Sequence, residues 1–174
     1  MPSVAKPEAH QFPSWASVYI DKISDDGHVL DHLQTALEDL VQTIEPLSEE
    51  QLLYRYEADK WTVKEMLVHI MDAERVFTYR GMGCARKDKT SFPGFDHNSY
   101  VPVSNANERS ISSILTEYKA LRAATVAFFS NLTDEAFNEV GEASGLPCSA
   151  KAMVYMIAGH EQHHLGIIRE RYLK

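Results

Sequence analysis

Four segments of this chain repeat apolar residues at steps of three and four, and each repeat lasts for several helical turns. Leu30, Leu33, Leu37, Leu40 and Ile44 draw the first stripe. Met66, His69, Ile70, Ala73, Val76, Phe77 and Arg80 share the second, and Ile111, Leu115, Tyr118, Arg122, Thr125 and Phe129 the third. Met153, Ile157, His160, His164 and Ile168 form the last. This spacing keeps residues on one side of an α-helix, so each segment has one face to bury. With no convincing strand, the expected fold is all-α, and four amphipathic helices bury four stripes most simply as a four-helix bundle.

Local signals set the ends. Ser48 with Gln51, and Thr62 with Glu65, fit capping boxes; Ser149 can cap the last helix. Asn105 with Glu108 is the expected cap of the third. Between the second and third helices runs the polar stretch KDKTSFPGFDHNSYVPVSNAN. Its length allows a crossover between them, and its aromatics require something to pack on. The stretch NEVGEASGLPC reads as loop. Residues 1–22, with Pro2, Pro7 and Pro13, read as an arm laid on the surface, anchored by Trp15 and Tyr19. Residues 23–174 form the bundle domain.

Composition narrows the function. A net charge of −8, with Lys and Arg scattered, lacks the basic stripe that releases counterions from nucleic acid. No apolar run approaches the ~18–20 residues of a membrane span, and the N-terminus has no apolar signal core. Cys84 and Cys148 make neither a disulfide framework nor a CxxC site. A cytoplasmic protein is expected, with a small-molecule substrate and neither nucleic acid nor membrane as partner. Wide apolar faces on a bundle also lead us to expect a homodimer.

The C-terminal stretch GHEQHHLGIIRERYLK sets three histidines within five residues. His160 and His164, four apart, can aim at one point on the row that the bundle buries. The pair His160/His163 is geometrically open but second choice. Histidine on an apolar face is more often a hydrogen-bonded core residue than a ligand, and His69 shifts that balance. It lies inside the second stripe, and bundles assemble metal sites from inward side chains of facing helices. Three imidazoles leave a coordination position open, as in catalytic rather than structural metal sites.

WTVKEMLVHIMDAERVFTYR, FPGFDHNSYV and AGHEQHHLGIIRERYL, in this order, resemble the DinB/YfiT-like family, and the likeness runs from about residue 25 to the end. The resemblance implies a four-helix bundle. It also implies a divalent metal, zinc or nickel, held by His69, His160 and His164. The implied chemistry is led by S-transfer with a low-molecular-weight thiol such as bacillithiol or mycothiol, which the family also uses for isomerisation, and metal-dependent hydrolysis with a metal-bound water is the alternative. A non-catalytic metal-binding or dimerisation bundle is the rival.

Three more residues are candidates for the chemistry. Arg80 returns to the face of His69 some 16 Å along the helix. Arg122 sits in the third stripe. An inward cation needs a buried carboxylate or an anionic substrate, and an internal salt bridge is as plausible for either as a role in catalysis. Asp96 is a candidate general base, with an Asx-turn as the alternative. Glu161 points about 100° away from His160, so protease chemistry of the HExxH kind is not expected.

Overall fold

The computed structural model describes residues 1–173. The four helices form where the stripes lie: α1 Val29–Ile44, α2 Val63–Ala85, α3 Ile111–Phe129 and α4 Ala150–Ile167. A π-helical turn, Ile168–Tyr172, extends α4. Both capping boxes are made. The Ser48 hydroxyl accepts from the Gln51 amide and the Thr62 hydroxyl from that of Glu65, while each N3 side chain reaches back. Ser149 caps α4 through the Ala152 amide.

The helices are not wound in order around the bundle. α1 packs on α3 and α4, and α2 packs on the same two, most extensively on α4. Thus α1 and α2, joined by residues 45–62, take opposite corners. So do α3 and α4, joined by residues 130–149. The long stretch 86–110, expected to allow a crossover, joins two neighbours instead.

Other details differ from the reading of the sequence. α3 starts at Ser110, whose hydroxyl accepts from Ser113 N. Asn105 sits at φ +55° before a short 3-10 turn and caps nothing with its side chain, a backbone state that Asn tolerates better than most residues. The stretch read as loop holds a hairpin, β2 Val140–Ala143 and β3 Leu146–Ser149, with β1 Ser91–Phe92 parallel to β2. Ser144 and Gly145 connect the hairpin with φ +54° and +75°. Two positive φ values mark the turn type whose twist suits a two-residue hairpin. The buried thiols of Cys84 and Cys148, 3.0 Å apart and unbridged, pack the end of α2 against β3.

The arm is part of the fold. Val4, Ala16 and Ile20 are buried with the bundle core. The Tyr155 hydroxyl donates to the Val4 carbonyl at 2.8 Å, and Val4 bridges to His28. Its last turn, Ser17–Ile20, crosses α4 at Gly159, where a Cβ would lie 2.1 Å from the Tyr19 carbonyl oxygen. Glycine there is what lets the two backbones meet.

The apolar core falls into two clusters. One holds Leu30, Leu33, Phe77, Phe129 and Met153; the other Leu40, Ile44, Leu67, Leu115 and Leu165. Polar residues occupy the waist between them: His69 and Glu74 on α2, Arg122 on α3, His160 and Glu161 on α4.

Candidate metal centre

At that waist α2 and α4 face each other, and His69, His160 and His164 meet. The Nε2 atoms of His69 and His164 each lie 3.1 Å from that of His160. One ligand atom from each ring falls within 4.8 Å of the other two. His69 and His160 are buried, and His164 is partly exposed. The fourth-residue spacing on α4 brings His160 and His164 to one point, and the central place of His69 on α2 sets it opposite. His163 lies outside the group and packs its ring on Tyr19.

Burial holds all three imidazoles in the neutral form. It pushes His69 down to about 4, with His97 nearby as a lesser cause. It pushes His164 down to about 3, helped by His69. His160 is driven well below the usual histidine value, first by burial and then by His164 and His69. Their lone pairs are therefore free at neutral pH. Each Nε2 has one in-plane position, occupied by a proton or a lone pair. Hydrogen bonds can therefore join two of the three nitrogens well and leave the third over, whereas a cation serves all three. The donor set fits a divalent ion.

The Nδ1 atoms of His69 and His164 are buried without a partner among the described residues. Aromatic packing orients the His69 and His160 rings. Trp61, just before the cap of α2, lies 4.7 Å from the His69 ring, and Phe77 lies edge-on to His160 at 5.9 Å.

The triad opens into a cavity of about 470 Å³, a size usual for small-molecule sites. α2 supplies Ala73, Phe77 and Arg80, the arm Trp15 and Tyr19, the 86–110 segment Phe95 and His97, and the hairpin turn Ser144. His97 brings its ring to 5.2 Å from that of His69, an approach that spacing alone could not show. The aromatics of loop and arm were the signal that these segments cover something; that they cover the histidines was not legible.

Of the other candidates, only Arg80 faces the cavity. Its Nη2 donates to the Pro93 carbonyl at 2.6 Å. Asp96 is exposed and caps the turn His97–Tyr100, its carboxylate accepting from Asn98 N at 3.1 Å. That is the Asx-type alternative, and Asp96 is not among the residues that line the cavity. Arg122 is sealed in the waist, away from the cavity. It bonds Glu74 through Nε at 3.1 Å and Nη2 at 2.9 Å, and Glu161 through Nη2 at 2.7 Å; the Leu33 carbonyl accepts from Nη1. Tyr118 donates to Glu161 at 2.9 Å. With its donors taken up inside the core, Arg122 holds helices together and does not line the cavity. Glu161 does turn away from the triad, as its position on the helix requires. Glu74, not singled out from the sequence, was visible only as an acid among apolar neighbours.

Comparison with known proteins agrees with this architecture. YfiT from Bacillus subtilis, described as a probable metal-dependent hydrolase with an unusual four-helix bundle topology, superposes with a TM-score of 0.76 at 19% identity, over 85% of this chain and 87% of that one. A protein of Oceanobacillus iheyensis, named provisionally as a metal-dependent hydrolase, is 24% identical over 150 residues, 84% of this chain and 85% of its own. The family model of the DinB superfamily matches residues 32–168. This chain belongs to the DinB superfamily.

Proposed function

We propose that this protein is a metal-dependent enzyme acting on a small electrophilic substrate, with hydrolysis as its leading reaction. The observation that carries the reading is the convergence of three neutral Nε2 atoms at the inner end of a substrate-sized cavity. The names of the two relatives support hydrolysis in particular. A divalent ion on His69, His160 and His164 would supply Lewis acidity, lowering the pKa of a bound nucleophile and polarising a carbonyl. His97, beside His69, is placed to take or return a proton. Trp15, Tyr19, Trp61 and Phe95 wall the cavity with aromatic rings.

Thiol transfer is the second reading. Among the described residues no cysteine lines the cavity, so the sulfur would come from a bound low-molecular-weight thiol in the volume of about 470 Å³.

Metal analysis by mass spectrometry tests the centre, on protein purified without a metal-affinity tag. Wild type should carry about one equivalent, zinc or nickel, as three imidazoles with an open position would hold. His69→Ala and His164→Ala should lose it. Turnover of aryl esters and amides, with and without added thiol, then separates the readings. Wild type that takes up neither zinc nor nickel would overturn the enzyme assignment.

A further inference from the structure

The cavity has a second end, and its chemistry is opposite to that of a hydrolase site built around acids. Among the described residues no Asp or Glu lines it, while Arg80 does. This guanidinium is half-buried, and its hydrogen-bond partner, the Pro93 carbonyl, is neutral. Among the described residues no carboxylate pairs with it, whereas the other inward arginine, Arg122, has Glu74 and Glu161. A partly desolvated cation without a counter-charge is costly unless an anion joins it. The planar fork of arginine suits a carboxylate held by two parallel hydrogen bonds.

Position adds the rest of the substrate. His69, Ala73, Phe77 and Arg80 lie along one face of α2. The Cα atoms at its ends are about 16 Å apart, and long side chains on a helix lean toward its N-terminus, which shortens such a gap. Between them the floor is a methyl group and a phenyl ring, and Phe95 and Tyr19 face it.

We infer that Arg80 is the subsite for a substrate carboxylate, and that the natural substrates are small acids with an apolar or aryl body and an electrophilic group at the far end, beside the histidines. The inference rests on the metal-site reading for the identity of the reacting end, but not for the carboxylate subsite itself.

The two tryptophans of the chain, Trp15 and Trp61, both line the cavity, so intrinsic fluorescence reports its filling. The experiment titrates zinc-incubated protein with 4-phenylbutyrate, with its amide, and with 3-phenylpropylphosphonate. Wild type should bind the carboxylate about tenfold tighter than the amide, as expected for a charge-assisted hydrogen bond. Arg80→Gln should abolish that preference. Arg80→Lys, which keeps the charge but not the fork, should retain part of it, and its far-UV dichroism should match wild type. Equal binding of acid and amide, a preference unchanged in Arg80→Gln, or no binding of any probe overturns the inference. A phosphonate bound far tighter than the carboxylate also overturns it, in favour of a phosphate subsite. A preference that survives Arg80→Gln but disappears in His164→Ala puts the carboxylate on the metal; the subsite then fails while the metal centre stands. An Arg80-dependent preference in protein that holds no metal gives the reverse result.

Discussion

Arg122 offers the sharpest test of how the waist of the bundle is held. Replacing it with Met removes the cation shared by Glu74 and Glu161, carboxylates that are 1% and 0% exposed. The methionine fills much of the arginine's volume, so the loss is electrostatic rather than a cavity. Deleting one partner of a buried ion pair costs about 3–5 kcal/mol, because the remaining charge stays buried without compensation. With a urea dependence of about 2 kcal/mol per molar, the unfolding midpoint should fall by about 1.5–2.5 M. The thermal midpoint should fall by roughly 6–20 °C for a chain of this length. The loss should also depend on pH. In the native protein burial already raises the Glu161 carboxyl, and Arg122 only partly offsets this. Without the arginine Glu161 should bind its proton still more tightly folded than unfolded. Stability of the variant then falls as pH rises above the ordinary carboxylate range, so its deficit is largest at neutral pH and shrinks in acid. Adding Glu74→Gln and Glu161→Gln should recover about half of the loss or more by removing the stranded charges. Equilibrium urea unfolding followed by circular dichroism at pH 5 and pH 7.5 measures all of this. A midpoint shift worth less than about 1 kcal/mol, or a deficit that does not change with pH, would refute the reasoning.

Two further outcomes follow from other parts of the molecule. Gly159→Ala places a methyl 2.1 Å from the Tyr19 carbonyl oxygen, so the arm must shift at a cost of about 1–3 kcal/mol; unchanged thermal stability and unchanged proteolytic resistance of the arm would count against that crossing. In alkaline titration, burial keeps Tyr155 and Tyr172 protonated up to about 12, and raises Tyr118 and Tyr19 as well. The unfolded chain gives up these protons first, so stability should decline as pH climbs from 10 to 12. Absorbance at 295 nm should then show part of the eight tyrosines ionising only close to unfolding; all eight titrating together near pH 10 in folded protein contradicts the packing.

What the sequence could and could not disclose follows from the range of each interaction. Thr62 with Glu65 and Ser48 with Gln51 act over three residues, so both helix starts were legible. His160 and His164 belong to one helix, and their convergence follows from its pitch. His69 joined them because it interrupted an apolar stripe with a ligand. The partner of Arg122 was not legible, since Glu74 and Glu161 come from two other helices, 48 and 39 residues away. Helix order around the bundle was hidden for the same reason: no local residue dictates which stripes become neighbours. The hairpin was missed because its strands have four residues each and contain Gly141 and Pro147, which weaken a strand pattern. Only the Ser144-Gly145 pair carried a signal for it.

The cavity is built from two kinds of material. Its inner end belongs to α2 and α4, where a change of residue disturbs the core. Its outer walls come from the arm, the 86–110 segment and the hairpin turn, which are seated on the bundle by a few buried side chains, Val4, Ala16 and Ile20 from the arm, Phe92, Val101 and Ala106 from the segment, and Cys148 from the hairpin. Trp15 and Ser144, both exposed, can therefore be exchanged with little penalty to folding. A lineage with this architecture is free to alter which molecules it admits while leaving the reacting centre intact, and sequence drift among its members should concentrate on those three segments.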